Sequence, residues 1–166
     1  MQRSRFLCSL LESFQPVVEE YAIRARADSL RDFGPVPFPA GKLRAVTPAV
    51  GEFGEASCRG GGTVLALSSF ALSQLSSSEL AAHLEEVHRS AQMVVFVDFK
   101  VAERNIELPA TMLFGVLRRA CSPASNAFRL TGGMEGMLHE ERQRFRIVER
   151  RTRMGGGLYG ILAECL

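Results

Sequence analysis

Several features that would identify a specific kind of site are absent from this sequence. None of its cysteines (Cys8, Cys58, Cys121 and Cys165) stands close enough to another for a zinc knuckle. There is no phosphate-binding P-loop, and no Ser/His/Asp or Cys/His order around a nucleophile elbow. No apolar run approaches the length of about 18 residues that a membrane span needs. These absences exclude a zinc-finger, a P-loop nucleotidase, a common hydrolase and a transmembrane protein.

An excess of charge of either sign is also lacking. Twenty Lys and Arg residues against 18 Asp and Glu residues leave a net charge of +2, so the overall charge predicts no nucleic-acid partner. A hydrophobic content of 46% over 166 residues is typical of one globular domain. We therefore expect a single domain over 1–166, divided into N-terminal helices (1–32), a Pro/Gly-rich connection (33–62) and an α/β core (63–166).

Two further absences concern the N-terminal segment and the histidines. Glu12 interrupts the first apolar stretch and no small-residue cleavage site follows, so we expect no signal peptide. With cysteines that we expect to be reduced, this predicts a cytoplasmic protein. His83 and His88 are five residues apart and lie on different faces of a helix, which predicts no metal site there and structural histidines at the surface or partly buried.

The second half of the chain carries clear secondary-structure signals. TVLAL is a continuous apolar run, MVVFVDF is rich in β-branched and aromatic residues, and Ser76 with Glu79 forms a capping box between them. Two strand-like segments joined by three glycines follow. The good helix formers of 17–31 predict a helix, and further helices are predicted near 110–120 and 134–141. The predicted strands are 63–67, 93–99, 144–152 and 158–166, with a further short strand at 43–50.

This order predicts a βαβ unit followed by an antiparallel pair, which makes a mixed, mostly parallel open α/β sheet. The segments TVLALSSFALSQLSSSELAAHLEEVHR, MVVFVDFKVAERN and FRIVERRTRMGGGLYGILAEC resemble the C-terminal half of class I S-adenosylmethionine-dependent methyltransferases. The resemblance covers about residues 63–166. It implies a Rossmann-like fold, S-adenosylmethionine as cofactor and a small-molecule substrate.

The first half departs from that family pattern. The family holds its cofactor on a glycine-rich turn after the first strand, followed by an acidic residue for the ribose hydroxyls. The nearest match is VTPAVGEFGEA, so Gly51, Glu52 and Gly54 are candidate cofactor-binding residues, and a plain connection is the alternative. Too few residues precede Thr63 for three strand–helix units of roughly 30 residues each. We therefore expect missing N-terminal units, and a homodimer or a heteromeric partner to cover the shortened sheet.

The resemblance also implies ligand contacts at the ends of the predicted strands. Ser68, Ser69 and Phe70 are candidate cofactor-binding residues, with a strand-to-helix turn that buries Phe70 as the alternative. Asp98 is the candidate catalytic residue, and a helix-capping or loop-bonding carboxylate is the alternative. No metal ligand is predicted.

The sequence is therefore compatible with three functions. The first is a methyltransferase of small molecules, and the second is a catalytically inactive methyltransferase-like subunit or dimerisation partner. The third is an RNA-binding module that uses the six arginines between 142 and 153, for which a solvated strand face that protects a sheet edge is the alternative.

Overall fold

The computed structural model describes residues 2–36, 62–101, 128 and 132–166. Five helices lie in these segments: α1 (Gln2–Glu12), α2 (Gln15–Arg24), α3 (Ala71–Gln74), α4 (Ser77–Ser90) and α5 (Gly133–Glu140). The strands are β1 (Ser29–Asp32), β2 (Val64–Ser69), β3 (Met93–Phe99), β4 (Phe145–Arg153) and β5 (Leu158–Cys165). The predicted strand at 43–50 and the predicted helix at 110–120 lie outside the described residues.

The five strands form one open mixed sheet in the order β1-β2-β3-β5-β4. β1, β2 and β3 are parallel, while β5 runs antiparallel to both β3 and β4. β5, the last of these strands in the sequence, therefore lies inside the sheet, and β1 and β4 are its two edge strands. The prediction of a mixed α/β sheet with a C-terminal antiparallel pair is confirmed, and the architecture is consistent with a Rossmann-like fold.

Helices cover the sheet on both faces, because the central strands carry apolar side chains in both directions. α1 and α2 pack on one face through residues such as Leu11 and Tyr21, against Leu65 and Leu67 of β2. α4 and α5 pack on the other face together with Phe128, against Ala66 of β2 and neighbouring strand residues. Strands buried on both faces read as continuous apolar runs, which explains why TVLAL and MVVFVDF were readable in the sequence.

The unit β2–α4–β3 agrees closely with the sequence prediction. β3 spans the predicted residues, and β2 continues two residues beyond the predicted end, to Ser69. The backbone N–H of Ser76 donates to the Glu79 carboxylate at 2.9 Å, which completes the capping box at the start of α4. The C-terminal hairpin and its glycine turn are confirmed as well.

Strand β1 was not predicted, and the helix prediction over 17–31 is wrong for its last residues. α2 ends at Arg24, and Arg26 adopts a left-handed conformation (φ 49°) that cannot continue a helix. Asp28 then accepts the Thr63 N–H at 2.7 Å, and the four residues of β1 pair with β2. These pairings join segments more than 30 residues apart, so they override the local helix propensity.

None of the described helices is long and apolar enough to cross a membrane.

Candidate functional site

The carboxyl ends of β1, β2 and β3 meet at one edge of the sheet, because the three strands are parallel. Open α/β sheets bind their ligands at this edge. Asp32 ends β1, Ser69 ends β2, and Asp98 lies one residue before the end of β3. Since β5 is antiparallel to β3, its first residues lie at the same edge, where Tyr159 is opposite Asp98.

The backbone following β1 crosses very close to the end of β2. A Cβ atom on Gly34 would lie 2.5 Å from the backbone nitrogen of Ser69 and 2.8 Å from its carbonyl oxygen. Only glycine fits this approach. The Gly34 N–H donates to Asp32 Oδ1 at 3.0 Å, which shapes the turn. Sequence reasoning missed this turn because β1 was missed; the Asp-Phe-Gly order directly after a short strand was the available signal.

The two serines at the end of β2 point to opposite faces of the sheet, as neighbours on a strand must. Ser68 Oγ lies 2.8 Å from His83 Nε2 on α4, and both side chains are buried. Burial lowers the pKa of His83, which keeps the imidazole neutral. Ser68 is therefore engaged within the protein, and the prediction of a surface or partly buried His83 is corrected to a buried, hydrogen-bonded one.

Ser69 is fully buried, but its hydroxyl has no hydrogen-bond partner within the described residues. The same holds for the hydroxyl of Ser73 and for Nε2 of Gln74, both on the short helix α3 that follows β2. Buried polar atoms are nearly always hydrogen-bonded. Three orphaned polar atoms within six residues mark this edge as a place where a polar ligand, water or another segment supplies the missing partners.

Phe70 connects β2 to α3 in a left-handed conformation (φ 57°, ψ 16°), which is strained for a bulky residue. Its ring is buried, with its centroid 4.9 Å from that of Phe99. The Phe70 ring thus lies in the hydrophobic core, and its backbone forms the turn from β2 to α3. Backbone strain of this kind is often found at functional sites. Here it lies at the turn between β2 and α3.

Asp98 is 1% exposed and serves two backbone donors. Its Oδ2 atom accepts the Ser73 N–H of α3 at 2.9 Å, and its Oδ1 atom accepts the Phe99 N–H at 2.8 Å. The geometry is that of a helix-capping carboxylate that holds the Phe70 turn in place. These contacts assign Asp98 a structural task at the edge.

A charged cluster closes the same edge on the side of β5. Tyr159 Oη donates to Glu135 of α5, and Arg150 Nε donates to the same carboxylate at 2.8 Å. Burial raises the pKa of Glu135, but these hydrogen bonds outweigh burial and leave it below its usual value. The Lys100 ammonium lies 5.5 Å from the centroid of the Tyr159 ring. Glu135 is therefore a charged anchor at neutral pH.

The remaining predicted cofactor residues, Gly51, Glu52 and Gly54, lie outside the described residues. Within those residues, no group of three His, Cys, Asp or Glu side chains is placed to hold a metal ion. His88 is bonded to the Leu166 carbonyl at 2.9 Å rather than directed to a site.

Most of the arginines between 142 and 153 are neutralised by carboxylates. Arg144, Arg146, Arg150 and Arg151 each form an ion pair with at least one glutamate, and the partners lie on α2, α4, α5, β4, β5 and the turn after α5. Among the residues placed by the structure, Arg142 and Arg153 have no carboxylate partner. These ion pairs thus link β4 and the turn before it to the neighbouring elements.

Comparison with known proteins identifies no family for this chain. No protein-family model matches the sequence, and no curated protein matches it. Among solved structures, the chain is similar to TnmH, with 14% sequence identity, 87% of this chain covered and a TM-score of 0.48. The similarity covers 45% of the TnmH chain, so this chain spans less than half of that protein.

Proposed function

We propose that this chain is a methyltransferase-like domain that binds S-adenosylmethionine at the carboxyl edge of β1, β2 and β3 and acts on a small molecule. The observation that carries this proposal is the combination of a βαβ unit with an antiparallel hairpin in one sheet, which ends on an edge with orphaned buried hydroxyls. The order of elements is the one that the sequence resemblance implies. A polar ligand bound at that edge would supply the hydrogen-bond partners that these buried hydroxyls lack.

Two features of the described residues support a ligand site at this edge. The turn at Gly34 packs directly against the Ser69 backbone with no room for a side chain, which brings the ends of β1 and β2 close together. The Ser69 hydroxyl offers a donor and an acceptor that no described group uses. The carboxylate for the ribose hydroxyls is assigned to Glu52, with Gly51 and Gly54 as a second backbone turn; these three assignments rest on the resemblance alone.

When bound, the cofactor supplies an electrophilic methyl group on a sulfonium. Transfer of such a group depends mainly on proximity and orientation, so it demands few catalytic side chains. In this chain Asp98 holds α3 and the Phe70 turn, while Gly34 holds β1 against β2. We therefore propose Asp98 as a positioning residue, whereas the sequence alone made it the candidate catalytic residue.

Titration calorimetry with S-adenosylhomocysteine tests the proposal on the purified chain. We expect weak binding by the unmodified protein, on the order of tens of micromolar or about 6–7 kcal/mol. Ser69→Ala removes one neutral hydrogen-bonding group without a steric clash, so it should weaken binding by about two- to tenfold. Ser78→Ala, an exposed serine on α4, is the matched control and should leave the affinity unchanged.

Gly51→Val examines the second turn separately, because a Cβ branch there would block a backbone approach to the ligand. Binding that survives Gly51→Val but is weakened in Ser69→Ala would place the ligand at the end of β2 and exclude a contribution from Gly51. A lack of any binding by the unmodified protein would contradict the proposal and favour the non-catalytic methyltransferase-like subunit.

A further inference from the structure

A second concave surface lies between α5 and the outer strand β4. It is a groove of about 570 Å³, and none of Gly34, Ser69, Phe70 and Asp98 contributes to its lining. It runs along β4 from Arg150 toward Leu166, which is opposite in direction to the edge described above. The groove shares Glu135 and Arg150 with the charged cluster beside that edge, but no residue proposed to bind the cofactor lines it.

The groove lies between α5 and β4, which follow each other in the chain. α5 is anchored over the inner part of the sheet by Met134 and Leu138, which are buried in the core. β4 is an edge strand, and α4 reaches its first residue, where the ring centroids of His88 and Phe145 lie 5.9 Å apart. α4 contributes no residue to the lining of the groove, so the floor is the face of β4 beside α5.

The floor of the groove is apolar. Phe145 and Ile147 of β4 and Leu138 of α5 form it. Phe145 and Leu138 are core residues, 2% and 1% exposed, so the partly buried Ile147 presents the apolar surface that a ligand can reach. A floor of this kind favours an aromatic or aliphatic body.

The rim of the groove is cationic. Arg142, Arg146 and Arg150 line it, with Glu135 as the single acidic side chain among the lining residues. Arg150 is bonded to Glu135 and Arg146 to Glu164, which neutralises both. Arg142 is exposed and has no carboxylate partner in the part of the chain that the structure describes; its Nη1 atom lies 3.5 Å from His139 Nε2. The groove therefore keeps one uncompensated guanidinium above an apolar floor.

We infer that this groove binds a small amphiphilic anion, with an apolar body over Ile147 and an acid group against Arg142. A guanidinium recognises carboxylate, sulfonate and phosphate groups through paired hydrogen bonds. The volume lies within the range of about 300–1,000 Å³ that is usual for small-molecule sites. Binding in this groove requires none of the residues proposed to hold the cofactor.

The test uses two fluorescent probes with nearly the same aromatic skeleton, anilinonaphthalene sulfonate and the uncharged phenylnaphthylamine. We expect the anion to bind more tightly than the neutral probe, and to weaken as salt is raised because the Arg142 charge is exposed to screening. Arg142→Gln should reduce the affinity for the anion by about two- to fivefold, as for an exposed ion pair. It should leave the affinity for the neutral probe unchanged.

Two further variants locate the binding. Ile147→Glu places a like charge on the floor and should weaken the anion more strongly than Arg142→Gln does. Arg153→Gln removes an exposed arginine of the same strand that lies outside the groove, and should have no effect. Amide resonances that shift on titration should lie between residues 135 and 150. Equal affinity for both probes, equal losses in Arg142→Gln and Arg153→Gln, or resonance shifts centred on Ser69 would each overturn the inference.

Discussion

Removal of the Asp98 carboxylate is expected to destabilise the protein strongly. The side chain is 1% exposed and accepts two backbone N–H groups, from Ser73 at 2.9 Å and from Phe99 at 2.8 Å. In Asp98→Ala both donors lose this buried acceptor. A buried donor without a partner costs about 1–3 kcal/mol, so the expected loss in the free energy of unfolding is about 2–6 kcal/mol. That is a large share of the roughly 5–15 kcal/mol typical of a domain.

Urea unfolding followed by far-UV circular dichroism measures this loss. Asp98→Asn keeps the shape and one good acceptor, so its loss should be smaller than that of Asp98→Ala. Ser73→Ala is the matched control, because it retains the backbone N–H that Asp98 caps and removes a hydroxyl without a described partner. We expect it to be neutral or stabilising.

The sign of the effect separates two roles for Asp98. A carboxylate kept for chemistry commonly costs stability, so that its removal stabilises the fold. A capping carboxylate has the opposite effect. An Asp98→Ala variant as stable as the unmodified protein, or a Ser73→Ala variant equally destabilised, would refute the capping argument.

Four other results are expected. Gly160→Ala should cost about 1–3 kcal/mol because its Cβ would overlap the buried ring of Phe14, and Phe14→Leu in the same chain should recover part of the loss in urea unfolding. The free energy of unfolding should fall as the pH drops below about 6.5, the pKa of histidine in the unfolded chain. Burial lowers the pKa of His83 in the folded state, so the unfolded state takes up the proton first. His83→Gln should flatten this pH dependence, and an unchanged slope would contradict the prediction. Burial raises the pKa of Cys165 to about 11, so about one thiol in a thousand is ionised at pH 8 and peptide mapping after iodoacetamide treatment should find it unlabelled. Sedimentation should show a species of twice 18.2 kDa if the predicted homodimer forms, and a monomer at micromolar concentration would exclude it.

Several elements could be predicted from sequence because their signals are local. β3 is a run of β-branched and aromatic residues, α4 begins with a capping box, and the C-terminal hairpin turns on three consecutive glycines. In each case the residues that define the element lie within a few positions of one another. The polar residues at the ends of β2 and β3 could likewise be singled out, since a short apolar run shows where a buried strand stops.

The roles of those polar residues depended on contacts that the sequence does not display. Ser68 and Ser69 look equivalent in the chain, but the pleat of β2 turns one toward His83 and leaves the other without a described partner. β1 needed its pairing with β2 to form at all, and Gly34 acquired its importance only from that pairing.

The arginines of β4 show the same division between local and distant information. Their positions on an exposed strand face followed from alternation, which has a period of two residues. Several of their ion pairs did not, because Arg150 pairs with Glu135 of α5 and Arg151 pairs with Glu20 of α2. Local patterning thus determined β3, α4 and the C-terminal hairpin. The tertiary structure decided β1 and the distant partners of the polar groups, since only folding brings such segments within hydrogen-bond distance.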